Sequence, residues 1–371
     1  MRPNQILAAA ALTAAAAASA TLAGPPQYMI IDIGVVQSGQ TASQGLRISP
    51  GGVGVGRALG NPSQAFSWTL GGGIVGLPNL ASRPFAAANG ANDMGAVVGT
   101  GTTTAFGSSP LPIIWQNGIA TELALPAGQT FGRANDINNN FVAVGSVNGG
   151  SAERAAIYSN GSASVITATT SGGSFMTTAF GINDAGLAVG NGVDPNNAAR
   201  NVGIAYDTVT GVATDIGALA GRNGALAFDV SEAGHVVGSS MLNQGAGTPF
   251  IWTANGGMVE VGLPTGASQG SARGVNSNGW VVGTASSAFA LPFLFDGNQT
   301  YLLQDLLVNP DGWDISMNTS SSALGISENG TIIGTGVFNG QVHAYAAVLV
   351  PAPGVVAALA PAGILAFRRR R

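Results

Sequence analysis

Val275-Asn276-Ser277-Asn278-Gly279-Trp280-Val281-Val282-Gly283 is a nine-residue cassette: a β-branched residue, Asn or Ser, two turn residues, Gly, any residue, two aliphatics and a closing Gly. The same order recurs from Ile182 to Gly190, from Val230 to Gly238 and from Ile326 to Gly334. Looser copies run from Ile48 to Gly56, from Ala91 to Gly99 and from Ile137 to Gly145, the last with Phe141 in place of the turn glycine. The closing glycines stand at 56, 99, 145, 190, 238, 283 and 334, at intervals of 43, 46, 45, 48, 45 and 51 residues. Seven copies at so even a period mark an array of supersecondary units.

Asn or Ser followed by two small or polar residues and Gly suits a type I turn, and the flanking aliphatics supply the two strands of a tight hairpin. Each cassette is followed by a small-aromatic strand: Ala65-Phe66-Ser67-Trp68, Ile113-Ile114-Trp115, Ala156-Ile157-Tyr158, Ile204-Ala205-Tyr206, Phe250-Ile251-Trp252, Pro292-Phe293-Leu294-Phe295 and Ala344-Tyr345. An acidic-aliphatic strand comes next, plainest at Thr214-Asp215-Ile216-Gly217, Val259-Glu260-Val261-Gly262 and Gln304-Asp305-Leu306. Four short strands per repeat of about 46 residues is the size of one propeller blade. The seventh unit reaches Leu349 without its fourth strand, and a strand of that type, Ile30-Ile31-Asp32-Ile33-Gly34, precedes the first cassette. The spacing therefore predicts an all-β fold over residues 24–349, a seven-bladed β-propeller closed by its N-terminal strand. The alternative, an open β-repeat array, would not need that permutation.

Composition excludes much chemistry. Of 371 residues, 57 are Gly, 8 % are charged and 46 % are hydrophobic; Cys and Lys are both absent, so all 13 basic residues are Arg. Disulfides, Cys-based zinc sites, Cys nucleophiles, Lys Schiff bases and the P-loop lysine are thereby ruled out. Arg2 and Arg368 to Arg371 lie in the terminal segments, which leaves eight arginines against 17 carboxylates, a net charge of −9 for the body. An acidic body with scattered arginines argues against nucleic acid.

The two ends read as export and sorting segments. Residues 1–23 have a positive start at Arg2, an apolar run from Ile6 to Ala18 and small residues at Ala18, Ala20 and Ala23 where a signal peptidase cuts. At the other end Val350-Pro351-Ala352-Pro353-Gly354 precedes an apolar run, 355–367, and a cluster of Arg368, Arg369, Arg370 and Arg371. Thirteen residues make roughly 20 Å of helix against a hydrocarbon core of about 30 Å, a marginal anchor with its arginines on the cytoplasmic side. This tail, residues 350–371, resembles the PEP-CTERM sorting tail, with Ala352 where that family has Glu. The resemblance implies transient membrane insertion and a partner, a membrane protease-transpeptidase of the exosortase type. The repeat itself resembles the HAF-type extracellular repeat, whose third strand starts His-Ala-aromatic, as in His343-Ala344-Tyr345. That likeness implies an exported repeat protein and carries no established reaction.

Candidate chemical groups are few. Gly266-Ala267-Ser268-Gln269-Gly270 matches Gly-x-Ser-x-Gly, but a repeat strand follows it where a nucleophile elbow needs a helix. His235 and His343 sit in strand slots that other copies fill with ordinary residues. Asn92-Asp93, Asn183-Asp184 and Asp136 to Asn140 cluster oxygens, yet they recur as turn chemistry and lack calcium-loop spacing. Trp313, flanked by Asp311 and Asp314 in the longest repeat, reads first as a loop folded over its own Trp; an exposed Trp there, stacking on a sugar ring with Asp311 and Asp314 beside it, is the alternative. Asp32, Asp215, Glu260 and Asp305 share one strand register, so paired carboxylates for glycan cleavage are conceivable on geometry alone. No cofactor or metal site is expected. These features lead to the expectation of a non-enzymatic structural or adhesive module at the cell surface or in the extracellular matrix. Rival readings are a glycan-binding or glycan-cleaving propeller, with surface polysaccharide as partner, and a protein-docking platform.

Overall fold

Short strands broken every few residues by Gly- and Asn-containing turns, buried continuously in the middle of each repeat (Val236–Met241) and alternating at its outer edge (Ser162–Val165), force this chain into small antiparallel sheets. The computed structural model describes residues 24–105, 107–150 and 153–351. The signal segment and the sorting tail from Ala352 onward, with Ala18, Ala20, Ala23, Pro353, Gly354 and Arg368 to Arg371, lie outside the described residues. The body, Gln27–Val350, is a seven-bladed β-propeller. Among the described residues there is no α-helix, and no helix is long and apolar enough to cross a membrane.

Blades 1 to 6 span residues 42–76, 85–122, 131–165, 175–215, 224–260 and 269–302, each an antiparallel sheet of four strands paired in chain order. The cassette is the hairpin between the first and second strands of every blade, as the repeat predicts. First strands of neighbouring blades face one another around the axis, and fourth strands form the perimeter. Blade 7 is completed from the other end of the chain: Tyr28–Asp32 pairs antiparallel with Gln341–Leu349, Tyr28 opposite Leu349 and Asp32 opposite Tyr345. Its first strand is split, since Trp313–Asp314 and Ser322–Ile326 both pair with Ile332–Phe338 and the extra residues of the longest repeat loop out between them.

One fourth strand differs from expectation. Gln304-Asp305-Leu306 belongs to a 3-10 turn, Leu303–Leu306, and the outer strand of blade 6 is Thr300–Leu302. Leu303 and Leu306 are buried in the core shared with blade 7, so apolar contact overrides the strand pattern there.

The core is divided into seven clusters, each at a seam between adjacent blades. The closing seam has the same kind of core: Ile33 from the N-terminal strand packs with Ala344 and Ala346 of blade 7 and with Ile48, Phe66 and Trp68 of blade 1. A buried cluster therefore fills this seam as it does the others, so closure leaves no exposed blade face there.

A β-bulge in each first strand explains the closing glycine. The register shifts between Gly45 and Arg47, and at the matching place in the other six blades. The bulge presses the first strand's carbonyl onto the second: a Cβ on Gly99 would stand 2.0 Å from the Ala87 oxygen, and at Gly56, Gly145, Gly190, Gly238, Gly283 and Gly334 the same clash recurs at 1.8–2.2 Å. Only glycine fits there.

Candidate functional site

The residue after each bulge points toward the propeller axis, and around the ring these are Arg47, Gly90, Asp136, Gly181, Asp229, Gly274 and Gly325. Charges occupy blades 1, 3 and 5, and glycines the rest. The glycines leave room: a Cβ on Gly90 would meet Asp136 Oδ1 at 2.7 Å, and one on Gly181 would meet Asp229 Oδ1 at 3.3 Å. Arg47 extends across the axis and donates from Nη1 to Asp136 Oδ2 at 3.3 Å and to Asp229 Oδ1 at 2.5 Å. Its Nη2 donates to the Phe180 and Phe228 carbonyls at 2.9 and 3.1 Å. One guanidinium thus ties blade 1 to blades 3, 4 and 5.

Each carboxylate is held from a second side. Asp136 accepts from the Ile182 N–H and Asp229 from the Val275 N–H, both at 3.1 Å, so each also clamps the following blade. Two carboxylates against one guanidinium leave an excess negative charge in a site where the three side chains are only 11–15 % exposed. Burial pushes the Asp136 carboxyl up to about 6 against the opposing pull of Arg47, and pushes Asp229 up for the same reason. The arginine itself is desolvated, but the two aspartates hold its pKa above the ordinary value. A cavity of about 40 Å³ beside this bolt is room for water rather than for a substrate.

Two belts of hydrogen bonds surround the bolt. Asn92, Asn138, Asn183 and Asn276 each cap their own turn through Oδ1, and each donates Nδ2 to the equivalent carbonyl of the next blade. One residue further on, the turn N–H groups of Asp93, Asn139, Asp184 and Ser277 donate to Asn139, Asp184, Glu232 and Glu328 of the following blade. Of the Asn and Asp side chains singled out as a possible calcium site, all but Asn140 therefore have an oxygen engaged with a backbone amide. Among the described residues no group of three or more acidic or His side chains is placed to hold a metal ion.

Two clefts open between neighbouring blades on the face that carries the cassette turns. The first, about 500 Å³, lies between blades 2 and 3 and is lined by Gln116, Thr121, Glu122, Phe141, Asn160 and Ser162 among others. The second, about 510 Å³, lies between blades 4 and 5, with Asp207, Thr210, Gly234, Trp252 and Thr253 in its wall. They differ at the turn residue. Gly234 has φ +81°, a conformation glycine takes without cost, whereas Phe141 holds φ +58° and is 38 % exposed.

The candidates from the sequence fall as follows. Trp313 is not an exposed platform: it is 9 % exposed, stacked 4.8 Å from Phe338 and edge-on to Tyr345 at 5.9 Å. The apolar surface available from Phe338 and Tyr345 draws it into the blade 6–7 core, while Asp311 stays exposed and Asp314 accepts from the Ser316 and Met317 N–H groups to shape the loop. Asp32, Asp215 and Glu260 lie on perimeter strands of blades 7, 4 and 5 and do not converge. Asp215 is paired with Arg200, and Asp32 Oδ1 is 2.8 Å from His343 Nδ1. His235 Nδ1 is 3.4 Å from the Asn276 carbonyl. After Ser268 comes the strand Gln269–Val275, so no nucleophile elbow forms. The carboxylates that do converge, Asp136 and Asp229, were not paired by the sequence reading. Their signal is a column: the residue before each cassette is glycine or alternately charged.

No family model matches the chain, and no curated protein is similar to it in sequence. Solved structures are similar in shape. A virginiamycin B lyase from Staphylococcus aureus matches with TM-score 0.55 at 13 % identity, over 88 % of this chain and 100 % of that one. YCF48 bound to D1 peptide matches with TM-score 0.52 at 11 % identity, over 90 % and 99 %. An oligogalacturonate lyase from Vibrio parahaemolyticus gives 0.52 at 11 %, over 88 % and 97 %. The chain spans 60 % of the length of TolB from Acinetobacter baumannii, which it matches with TM-score 0.46. The likeness is one of fold. At these identities it establishes the propeller and nothing finer.

Proposed function

We propose that the protein is an exported structural or adhesive module, held at the cell surface or in the extracellular matrix and running no reaction of its own. The observation that supports this most is the axial bolt: Arg47, Asp136 and Asp229 fill the centre of the ring with ion pairs that join non-adjacent blades. A ring tied across its axis and sealed at every seam suits a load-bearing or presenting role. The terminal segments supply the destination: the signal-peptide pattern of residues 1–23 for export, and Val350 to Gly354 with the arginine cluster for sorting by an exosortase-type protease.

The test has two parts. Protein recovered from the producing cell's surface is weighed intact; a mass that ends before Arg371 is expected, and one that includes Arg371 contradicts processing. The purified chain is then incubated with surface polysaccharide. Retention without shortening of the polymer supports adhesion, and depolymerisation would replace this reading with an enzymatic one.

A further inference from the structure

The cleft between blades 2 and 3 has two properties, of which its counterpart between blades 4 and 5 lacks the first and shares the second in part. The first is an aromatic ring placed at a conformational cost. Blades 1, 2, 4, 5, 6 and 7 hold glycine at the positive-φ position of the cassette turn (Gly52, Gly95, Gly186, Gly234, Gly279 and Gly330), and blade 3 holds Phe141. A bulky residue in the left-handed region costs about 1–2 kcal/mol, and such positions concentrate where a protein presents something. The strained backbone sets the Phe141 ring, 38 % exposed, in the wall of the cleft.

The second property is a set of unengaged polar side chains facing the same space. Gln116, Thr121, Glu122, Asn160 and Ser162, all exposed, line it, and no side-chain hydrogen bond holds them among the described residues. In the other cleft part of the polar lining is occupied by its own turns, while Thr214 and Asn255 are as unengaged as Thr121 and Asn160. Asp207 Oδ1 accepts from the Val209 and Thr210 N–H groups, which lowers its pKa, and Thr253 Oγ1 accepts from the Gly256 N–H. The two clefts are similar in volume, and Trp252 gives the second an aromatic wall as well, so what sets the first apart is the Phe141 turn.

An apolar ring beside several uncharged donors and acceptors is complementary to a sugar, whose axial C–H face stacks on the ring while its hydroxyls bridge the polar groups. The charge balance narrows the class. Glu122 is the one carboxylate lining the cleft, no arginine lines it, and the body carries a net −9, so an acidic polymer would be repelled. We propose that this cleft binds a neutral saccharide, with Phe141 as its stacking surface and Gln116, Thr121 and Asn160 as its hydrogen-bonding rim. The proposal rests on the adhesive reading and names its ligand class and its site.

The strain makes the site testable without risk to the fold. The full chain is run in affinity gels containing hydroxyethyl cellulose, dextran, or the neutral polysaccharide fraction from the producing cell's surface, with polygalacturonate as the acidic control. At least one neutral polymer is expected to retard the wild type, and polygalacturonate is not. Phe141→Gly should weaken that retardation about tenfold while raising the melting temperature by a few degrees, because it removes the ring and relieves the backbone. Thr121→Ala, a surface change, should weaken it without moving the melt. Unchanged retardation of Phe141→Gly, or a wild type retarded by no neutral polymer, overturns the proposal. Failure of the surface assignment would be seen in cell fractionation and leaves the gel result standing on its own.

Discussion

Arg47 Nη1 lies 2.5 Å from Asp229 Oδ1, although the two residues sit on blades 1 and 5 and their strands do not pair. In a ring whose seams join neighbours, this is one of four hydrogen bonds by which Arg47 crosses to blades 3, 4 and 5. A chain of blade-to-blade seams can open by hinging at any one of them, and a link between non-adjacent blades opposes that motion wherever the hinge falls. The same guanidinium reaches Asp136, so rigidity at the axis depends on one side chain.

Replacing Arg47 by Met should therefore be among the most damaging single changes in the body. It leaves Asp136 and Asp229 buried and facing each other with no cation, a loss of about 3–5 kcal/mol when one partner of a buried pair is removed. For a domain of this size that is on the order of 10 °C in melting temperature. Calorimetry at neutral pH checks it, and a melt within 2–3 °C of wild type would show that the pairs contribute nothing net.

Stability should also fall with rising pH across the range in which the bolt ionises. The folded-state pKa of Asp136, about 6, is above its unfolded value of about 3.9. Between those values the folded chain binds more protons than the unfolded one, so this contribution is full below pH 4 and is lost as pH rises through 6. Asp229 and Glu232, both raised by burial, add to it with the same sign. Urea midpoints at pH 4.5 and pH 7 should differ less in Asp136→Asn than in the wild type. An identical slope in the two proteins would remove Asp136 as the source.

The belt of cassette asparagines predicts a smaller loss. Asn183 is 2 % exposed; its Oδ1 accepts from the Leu187 N–H at 2.9 Å and its Nδ2 donates to the Ser231 carbonyl of the next blade at 3.0 Å. Asn183→Ala leaves the Leu187 N–H without its partner and takes from the Ser231 carbonyl one of two donors, the Gly234 N–H remaining at 2.9 Å, a cost of about 1–3 kcal/mol. Asn183→Ser keeps the cap and loses the bridge, as Ser231 and Ser327 do naturally, and should cost about half as much. Equal losses for the two variants would show that the bridge carries no weight.

How much of this was legible in the residue order follows from range. Turn chemistry is local, so Asn276 and Gly279 announce their hairpin within five residues, and seven such hairpins announce the ring. Closure was legible because a strand missing at Leu349 reappears at Tyr28. The bolt was not, since Arg47 and Asp136 are 89 residues apart and neither looks unusual within its own repeat. Aligning the copies on their bulges exposes both at once, as charges in a column of glycines. The sugar-platform reading of Trp313 fails for the opposite reason: its neighbours Asp311 and Asp314 mark a surface loop, while the rings that bury it, Phe338 and Tyr345, arrive from strands further along the chain.

Closing glycines should tolerate nothing, and open-loop glycines should tolerate alanine. Gly99→Ala drives a Cβ to 2.0 Å from the Ala87 carbonyl, which must undo the bulge that lets blade 2 approach the axis. A loss of at least about 3 kcal/mol, or failure to fold, is expected. Gly71 has nothing within 4 Å of the same added atom and no positive φ, so Gly71→Ala should stay within about 0.5 kcal/mol. Thermal melts of the pair decide it, and a mild Gly99→Ala would mean that bulge and glycine are not coupled.

The final prediction concerns the seam where the ring is fastened. Tyr28 and Ile33 are buried at 0 and 4 %, the Ile33 N–H donates to the Ala344 carbonyl at 3.0 Å, and Asp32 meets His343. Removing residues 27–34 strips these groups from blade 7 and leaves Gln341–Leu349, a nine-residue strand, with one edge unpaired. An edge of that length is a template for another chain. The shortened protein should elute as dimers or larger species on size exclusion, each blade 7 seeking a strand from a neighbour, and should lose the single cooperative melt of the intact ring. A synthetic peptide of residues 27–34 supplied in excess should restore the monomer. A shortened chain that stays monomeric with the wild-type melt would mean that the ring is held by its bolt and belts alone.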